Sequence, residues 1–120
     1  MELDSVGTIV ATRELLLHGV SKVTVHLGMP QPFPDDPPGS FYCPFQILGI
    51  GDEKVYFAGG ADTFQALYLA MKMIGIHLYT SKEWTDGELT LDAGRDLDIP
   101  VEDVVRDLFP PKPTSPSPDV

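Results

Sequence analysis

This 120-residue chain is short of the residues that most often carry chemistry: it has one cysteine, three histidines and one tryptophan. A single cysteine cannot close an internal disulfide, so nothing in the sequence calls for an oxidising compartment. Basic residues are also scarce. Eight Lys and Arg face 18 Asp and Glu, for a net charge of −10 with histidines neutral. Binding along a phosphate backbone needs clustered cations to displace counterions, so nucleic acid is excluded as a partner class. The Met-Glu-Leu-Asp start has no basic region and no apolar signal core, and no export signal is expected. The longest apolar stretch, Phe64–Tyr79, contains Gln65, Lys72 and His77. It is too short to span a bilayer, so no membrane partner is expected, and the location is read as cytoplasmic.

Catalytic and nucleotide motifs are missing as well. There is no G-x-G-x-x-G, no Gly-Lys-Ser/Thr loop, no Gly-x-Ser-x-Gly elbow and no His-Glu-x-x-His. Asp92–Asp98 fails as a calcium loop, which needs a ligand at Gly94 and a glycine at Leu97. Thiolate and imidazole together can hold zinc or form a nucleophile with its base, which makes Cys43 and His26 the pair to test. Strand alternation puts them on opposite sheet faces. Cys43 reads as a small buried hydrophobe, and His18 and His77 stand alone. The Asp35-Asp36 and Asp52-Glu53 pairs fall in turns, where water screens them. No catalytic residue, metal or cofactor is assigned.

What is present is proline, hydrophobic periodicity and acid. Five of the 12 prolines lie in Pro30–Pro38 and five in Pro110–Pro118. Because proline donates no amide, Met29–Phe41 is expected to be an exposed loop with some polyproline II character. Residues 110–120 have almost nothing to bury and are expected to be a disordered tail, leaving one domain over 1–109.

Between these breaks, Thr8–His18, Lys22–Leu27, Phe41–Ile50 and Lys54–Ala58 read as strands, with Val23, Val25 and Leu27 sharing one face. Phe64, Leu67, Tyr68, Met71, Ile74 and Leu78 then recur at helical spacing behind the N-cap candidate Asp62, with Gln65 completing a capping box. Gly75 is the expected fraying point. The fold class is therefore α+β, an antiparallel meander of four strands with Glu88–Leu91 as a candidate fifth. One long, nearly apolar helix packs on one face, overlaid by the C-terminal segment, and Val101–Leu108 is a candidate short helix. Ala58–Asp62 and Gly49–Gly51 read as turns.

Residues 83–120 hold ten acidic and three basic side chains, a net of −7, against −3 for residues 1–82. Such a segment can steer a basic protein. The candidate binding residues are Met29, Phe33 and Phe41 on the stiff proline loop, with Trp84, Asp96, Asp98, Glu102 and Asp103 on the acidic stretch. The favoured function is a noncatalytic protein-interaction module with a basic partner, of the immunity or accessory type. The alternative is a small-molecule binder or minor enzyme with a pocket between sheet and helix. There Tyr42, Tyr56, Tyr68 and Gln65 would be the polar groups and His26 or His77 the base. A third reading buries one sheet face in a homodimer.

Cys43-Pro-Phe-Gln-Ile-Leu-Gly-Ile-Gly51, then Gly59-Gly-Ala-Asp-x-x-Gln-Ala-Leu67 and Lys72-Met-Ile-Gly75, together with Ile99-Pro100-Val101 and Arg106-Asp107-Leu108, form a combination. It resembles a family of small bacterial domains of unknown function, over about residues 8–110. The resemblance implies a bacterial source and a compact single domain. It brings no catalytic or binding residues with it.

Overall fold

The computed structural model describes residues 1–34 and 39–101. Four strands carry the sheet: β1 (Ile9–Leu17), β2 (Ser21–Gly28), β4 (Phe41–Leu48) and β5 (Val55–Gly60), with two-residue strands β3 (Gln31–Pro32) and β6 (Leu89–Thr90). Every pairing among them is antiparallel. β1 lies beside β2, β2 beside β4 and β4 beside β5, while β6 joins the far edge of β1 and β3 continues the β2 side of β4. The meander expected from the sequence is thus present, but among the described residues the sheet has six strands rather than four or five. The extra one is Gln31–Pro32, inside the segment expected to be all loop. Proline is tolerated there because the pairing is two residues long and ends at once. The middle of that loop, residues 35–38, lies outside the described residues, as do residues 102–108 of the candidate helix and the 110–120 tail.

Register sorts the side chains. Leu15, Val23, Val25, Leu27, Cys43, Phe45 and Ala58 point to one face and are buried, whereas Thr24, His26 and Gln46 point to the other. Helix α1 (Thr63–Tyr79) lies across the first face and buries Ala66, Ala70, Ile74, Gly75, Leu78 and Tyr79. Small residues on its inner stripe let it approach closely. A Cβ on Gly60 would meet Ala66 N at 2.5 Å, so Gly60, which lies in β5 rather than in the turn expected over Ala58–Asp62, is a packing device against the first helical turn. Asp62 caps the helix by accepting from Gln65 N at 2.7 Å. The return bond comes one residue early, Gln65 Oε1 accepting from Ala61 N at 2.7 Å.

Gly75 does not end the helix. The helix runs four residues further, and a Cβ on Gly75 would strike the Pro100 carbonyl oxygen. Glycine is there so that Ile99–Pro100 can cross over the helix, which is the C-terminal overlay the apolar pattern demanded. The outer stripe is not covered equally. Phe64 is 80% and Tyr68 47% exposed, and Lys72 sits 4.9 Å from the Tyr68 ring centre.

Helix α2 (Lys82–Thr85) follows directly, capped by Ser81 accepting from Trp84 N. On the open face, the N-terminal segment contributes buried Val6, whose carbonyl lies with Pro44 over Gly28. No helix among the described residues is long and apolar enough to cross a membrane.

Candidate functional site

The sequence-predicted residues separate on the folded chain. Met29 stays exposed at 39%, its amide donating to Thr8 O at the sheet end that also exposes Ile9 and Val10. Phe33 folds back onto the open face, where it packs with Tyr42 and Phe57 at centroid distances of 5.4 and 5.9 Å. Phe41 turns the opposite way and packs against the main core. These two rings therefore do not form a joint surface, because neighbouring strand positions alternate between faces.

Trp84 needs the plainest correction. It is 1% exposed, its indole Nε1 donates to Arg95 O at 2.7 Å, and its ring meets Tyr79 edge-on at 4.9 Å. A ring this large finds more apolar surface in the core than at a rim, and its single donor is satisfied there. It cannot present itself to a partner. Instead it anchors the acidic segment. The Arg95 guanidinium lies 4.3 Å over the Trp84 ring, Leu97 N donates to the Tyr79 hydroxyl at 2.9 Å, and Arg13 Nη1 donates to the Leu97 and Asp98 carbonyls at 2.6 and 3.0 Å.

On that anchored segment Asp92, Asp96 and Asp98 are all exposed. Asp92-Ala93 form a tight turn, with φ of 51° and 65°, closed by reciprocal amide bonds between Leu91 and Gly94. Asp96 Oδ1 accepts from Asp98 N at 2.8 Å, an Asx turn that fixes the next corner. The basic groups nearby are otherwise engaged, Arg95 on Trp84, Arg13 on carbonyls, and Lys82 on Asp86 at 2.6 Å. Glu102 and Asp103 lie outside the described residues.

A second site lies where the β4–β5 turn meets the end of α1. A cleft of about 320 Å3 is bounded by Ile47 and Ile50, by the turn residues Asp52, Glu53 and Lys54, by Tyr56 and His77, and by Ser81 and Glu83. The Tyr56 hydroxyl donates to Asp52 Oδ2 at 2.5 Å, and Lys54 N donates to Asp52 Oδ1 at 3.0 Å. These two bonds, the tyrosine's first, hold the Asp52 carboxyl below its ordinary pKa, and the tyrosine's bond raises that of Tyr56 itself. His77 lies against the Tyr56 and Phe45 rings at 4.7 and 5.5 Å. Burial lowers its pKa, partly opposed by the charge on Asp52.

Of the polar groups expected around a pocket, Tyr56 and His77 are brought together. Tyr42 and His26 belong to the opposite sheet face, Tyr68 to the outer helix stripe, and Gln65 to the cap. Asp52, which in sequence reads as a screened turn carboxylate, joins them. The signal that could have found it is its i,i+4 relation to Tyr56 across a hairpin end. Cys43 is buried, donates to Gly28 O at 3.2 Å and has its thiol pKa pushed up to about 11, far from thiolate chemistry at neutral pH.

The chain belongs to a protein family described as Domain of unknown function (DUF6968), whose model matches residues 11–101. The match covers all of the sheet but the first two residues of β1, helices α1 and α2 and the acidic turn. No curated protein and no solved structure matches the chain.

Proposed function

We propose that this family member is a noncatalytic protein-interaction module whose partner is a basic protein, met first through the stretch Asp92–Asp98 of the acidic segment. The observation that carries the reading is the arrangement of Asp92, Asp96 and Asp98. Three exposed carboxylates sit on a backbone held by Trp84, Tyr79 and Arg13, while the neighbouring cations are used internally. Charges presented on a fixed frame lose little entropy when a partner docks, and their field speeds encounter with an opposite charge. The net charge of −10 acts in the same direction at longer range. A bacterial source, an immunity or accessory role and a cytoplasmic site of action belong to the same proposal.

The test is affinity capture of the tagged chain from the lysate of its own cell, at low and high salt, with quantitative mass spectrometry. One stoichiometric basic protein, lost at high salt, is the expected result. An empty capture with a monomeric bait contradicts the reading.

A second reading draws on the cleft beside Tyr56 and His77: a small-molecule binder with its pocket between sheet and helix. A metabolite that raises the melting midpoint by several degrees, with no protein captured, favours it over the first, since a ligand of the native state must stabilise it.

A further inference from the structure

We propose that the cleft between the β4–β5 turn and the end of α1 is a seat for an organic cation on a hydrocarbon stem, a guanidinium or ammonium group carried by a short alkyl chain. Its walls suit the stem. Ile47, Ile50 and the Tyr56 ring offer apolar surface, and the volume of about 320 Å3 lies at the small end of ligand clefts.

Its rim suits the head group. Asp52, Glu53 and Glu83 line the opening against the single ammonium of Lys54, an excess of two negative charges. His77, kept below its ordinary pKa by burial, adds no charge at neutral pH. An anion entering here would meet three carboxylates, and a neutral ligand would strip water from them without return. A cation restores what the carboxylates lose.

The acceptors are placed rather than loose. Asp52 is pinned by the Tyr56 hydroxyl and by Lys54 N, and a carboxylate with two donors still has lone pairs for a third. Glu53 is tied by one oxygen to Gly49 N at 2.7 Å. Glu83 stands on the first turn of α2 and lines the cleft. A guanidinium would use two carboxylates at once, matching its planar fork.

The same chemistry has two sources, an Arg or Lys side chain of a protein or a free alkylamine. For the first source the inference rests on the basic-partner reading; for the second it does not.

The experiment is an amide NMR titration of the full chain with agmatine, with an N-acetylated, C-amidated peptide bearing one arginine among glycines and serines, and with Nα-acetylcitrulline amide as the uncharged control. Saturable shifts are expected at Gly51, Asp52, Tyr56 and His77 with both cations and none with Nα-acetylcitrulline amide. Asp52→Asn and Glu83→Gln should each weaken binding about tenfold. Asp92→Asn/Asp96→Asn/Asp98→Asn should leave cleft binding within about twofold of the native chain, since those carboxylates are not among the cleft's walls. Both cleft variants alter exposed or rim groups, and the unperturbed amide spectrum of each serves as its own check of folding. Tighter binding of the peptide than of agmatine assigns the seat to a protein side chain, and the reverse to a free amine. No shifts in the cleft, shifts spread equally over the acidic surface, or binding indifferent to both cleft variants would overturn the proposal. Cleft binding with an empty capture would refute the partner reading alone, and capture without cleft binding would refute the seat alone.

Discussion

Ala93 occupies the second centre of a tight turn at φ 65°, a conformation in which its Cβ crowds the following carbonyl. The left-handed region costs an L-residue about 1 kcal/mol or more, and glycine escapes it. Ala93→Gly should therefore raise the urea-unfolding free energy by about 1 kcal/mol, with the turn unchanged. A loss of stability would mean that the Ala93 methyl makes contacts that outweigh the strain.

Trp84 illustrates the limit of residue-level reading. In sequence it stands alone at the start of an acidic stretch, which is how a surface anchor also looks. Its burial depends on Tyr79, Arg95 and Leu89 arriving from elsewhere. Trp84→Phe should cost about 2–4 kcal/mol, part from the cavity and part from the orphaned Arg95 carbonyl. Urea denaturation measures it, and a loss below that range would mean that Trp84 does not hold the segment. His77 gives a pH prediction. Its folded pKa lies below the ordinary 6.5, so the neutral imidazole contributes its full stability above that value. As pH falls through it, the unfolded chain takes up protons first and stability declines. His77→Phe should flatten the fall in urea midpoint on the acid side of neutrality; an identical slope in the variant would place the titrating group elsewhere.

At the scale of elements, the sheet is legible in sequence where alternation is clean and silent where pairing is brief. Val23, Val25 and Leu27 announce β2, and the register bears them out. Gln31–Pro32 carries no such signal, since two residues have no period and proline argues against a strand. Val6 in a polar segment gives no hint of burial either, because a single apolar residue has no period. The helix pattern locates α1, but propensity misjudges Gly75. Gly75→Ala tests why. In an isolated helix the change would gain up to about 1 kcal/mol. Here the added methyl meets the Pro100 carbonyl, so the variant should lose about 1–3 kcal/mol. Amide exchange should quicken at Leu97, whose N–H reaches Tyr79, before it quickens in β2. A stabilised variant would show that Ile99–Pro100 does not bind the helix tightly.

For the whole molecule, the sheet's second face and the acidic segment compete as the surface a partner would use. The open face carries Phe33, Tyr42 and Phe57 already packed on one another, so their rings are spent on local contacts. Around the acidic segment Arg95 and Arg13 are used internally, and Asp92, Asp96 and Asp98 are exposed, Asp96 with one oxygen on Asp98 N. The anchoring by Trp84 could not be read from spacing, because it joins residues through the folded sheet, whereas the Asp52–Tyr56 bond left only its i,i+4 spacing as a signal. Charge could be read, and charge is what the account rests on. The most direct measurement is the association rate of the captured partner as a function of ionic strength, for the native chain and for Asp92→Asn/Asp96→Asn/Asp98→Asn. Asparagine keeps the turn geometry at all three positions while removing the charge. The variant should associate several-fold more slowly at low salt, with a flatter salt dependence and little change in dissociation. Unchanged on-rates and an unchanged salt slope would contradict the account.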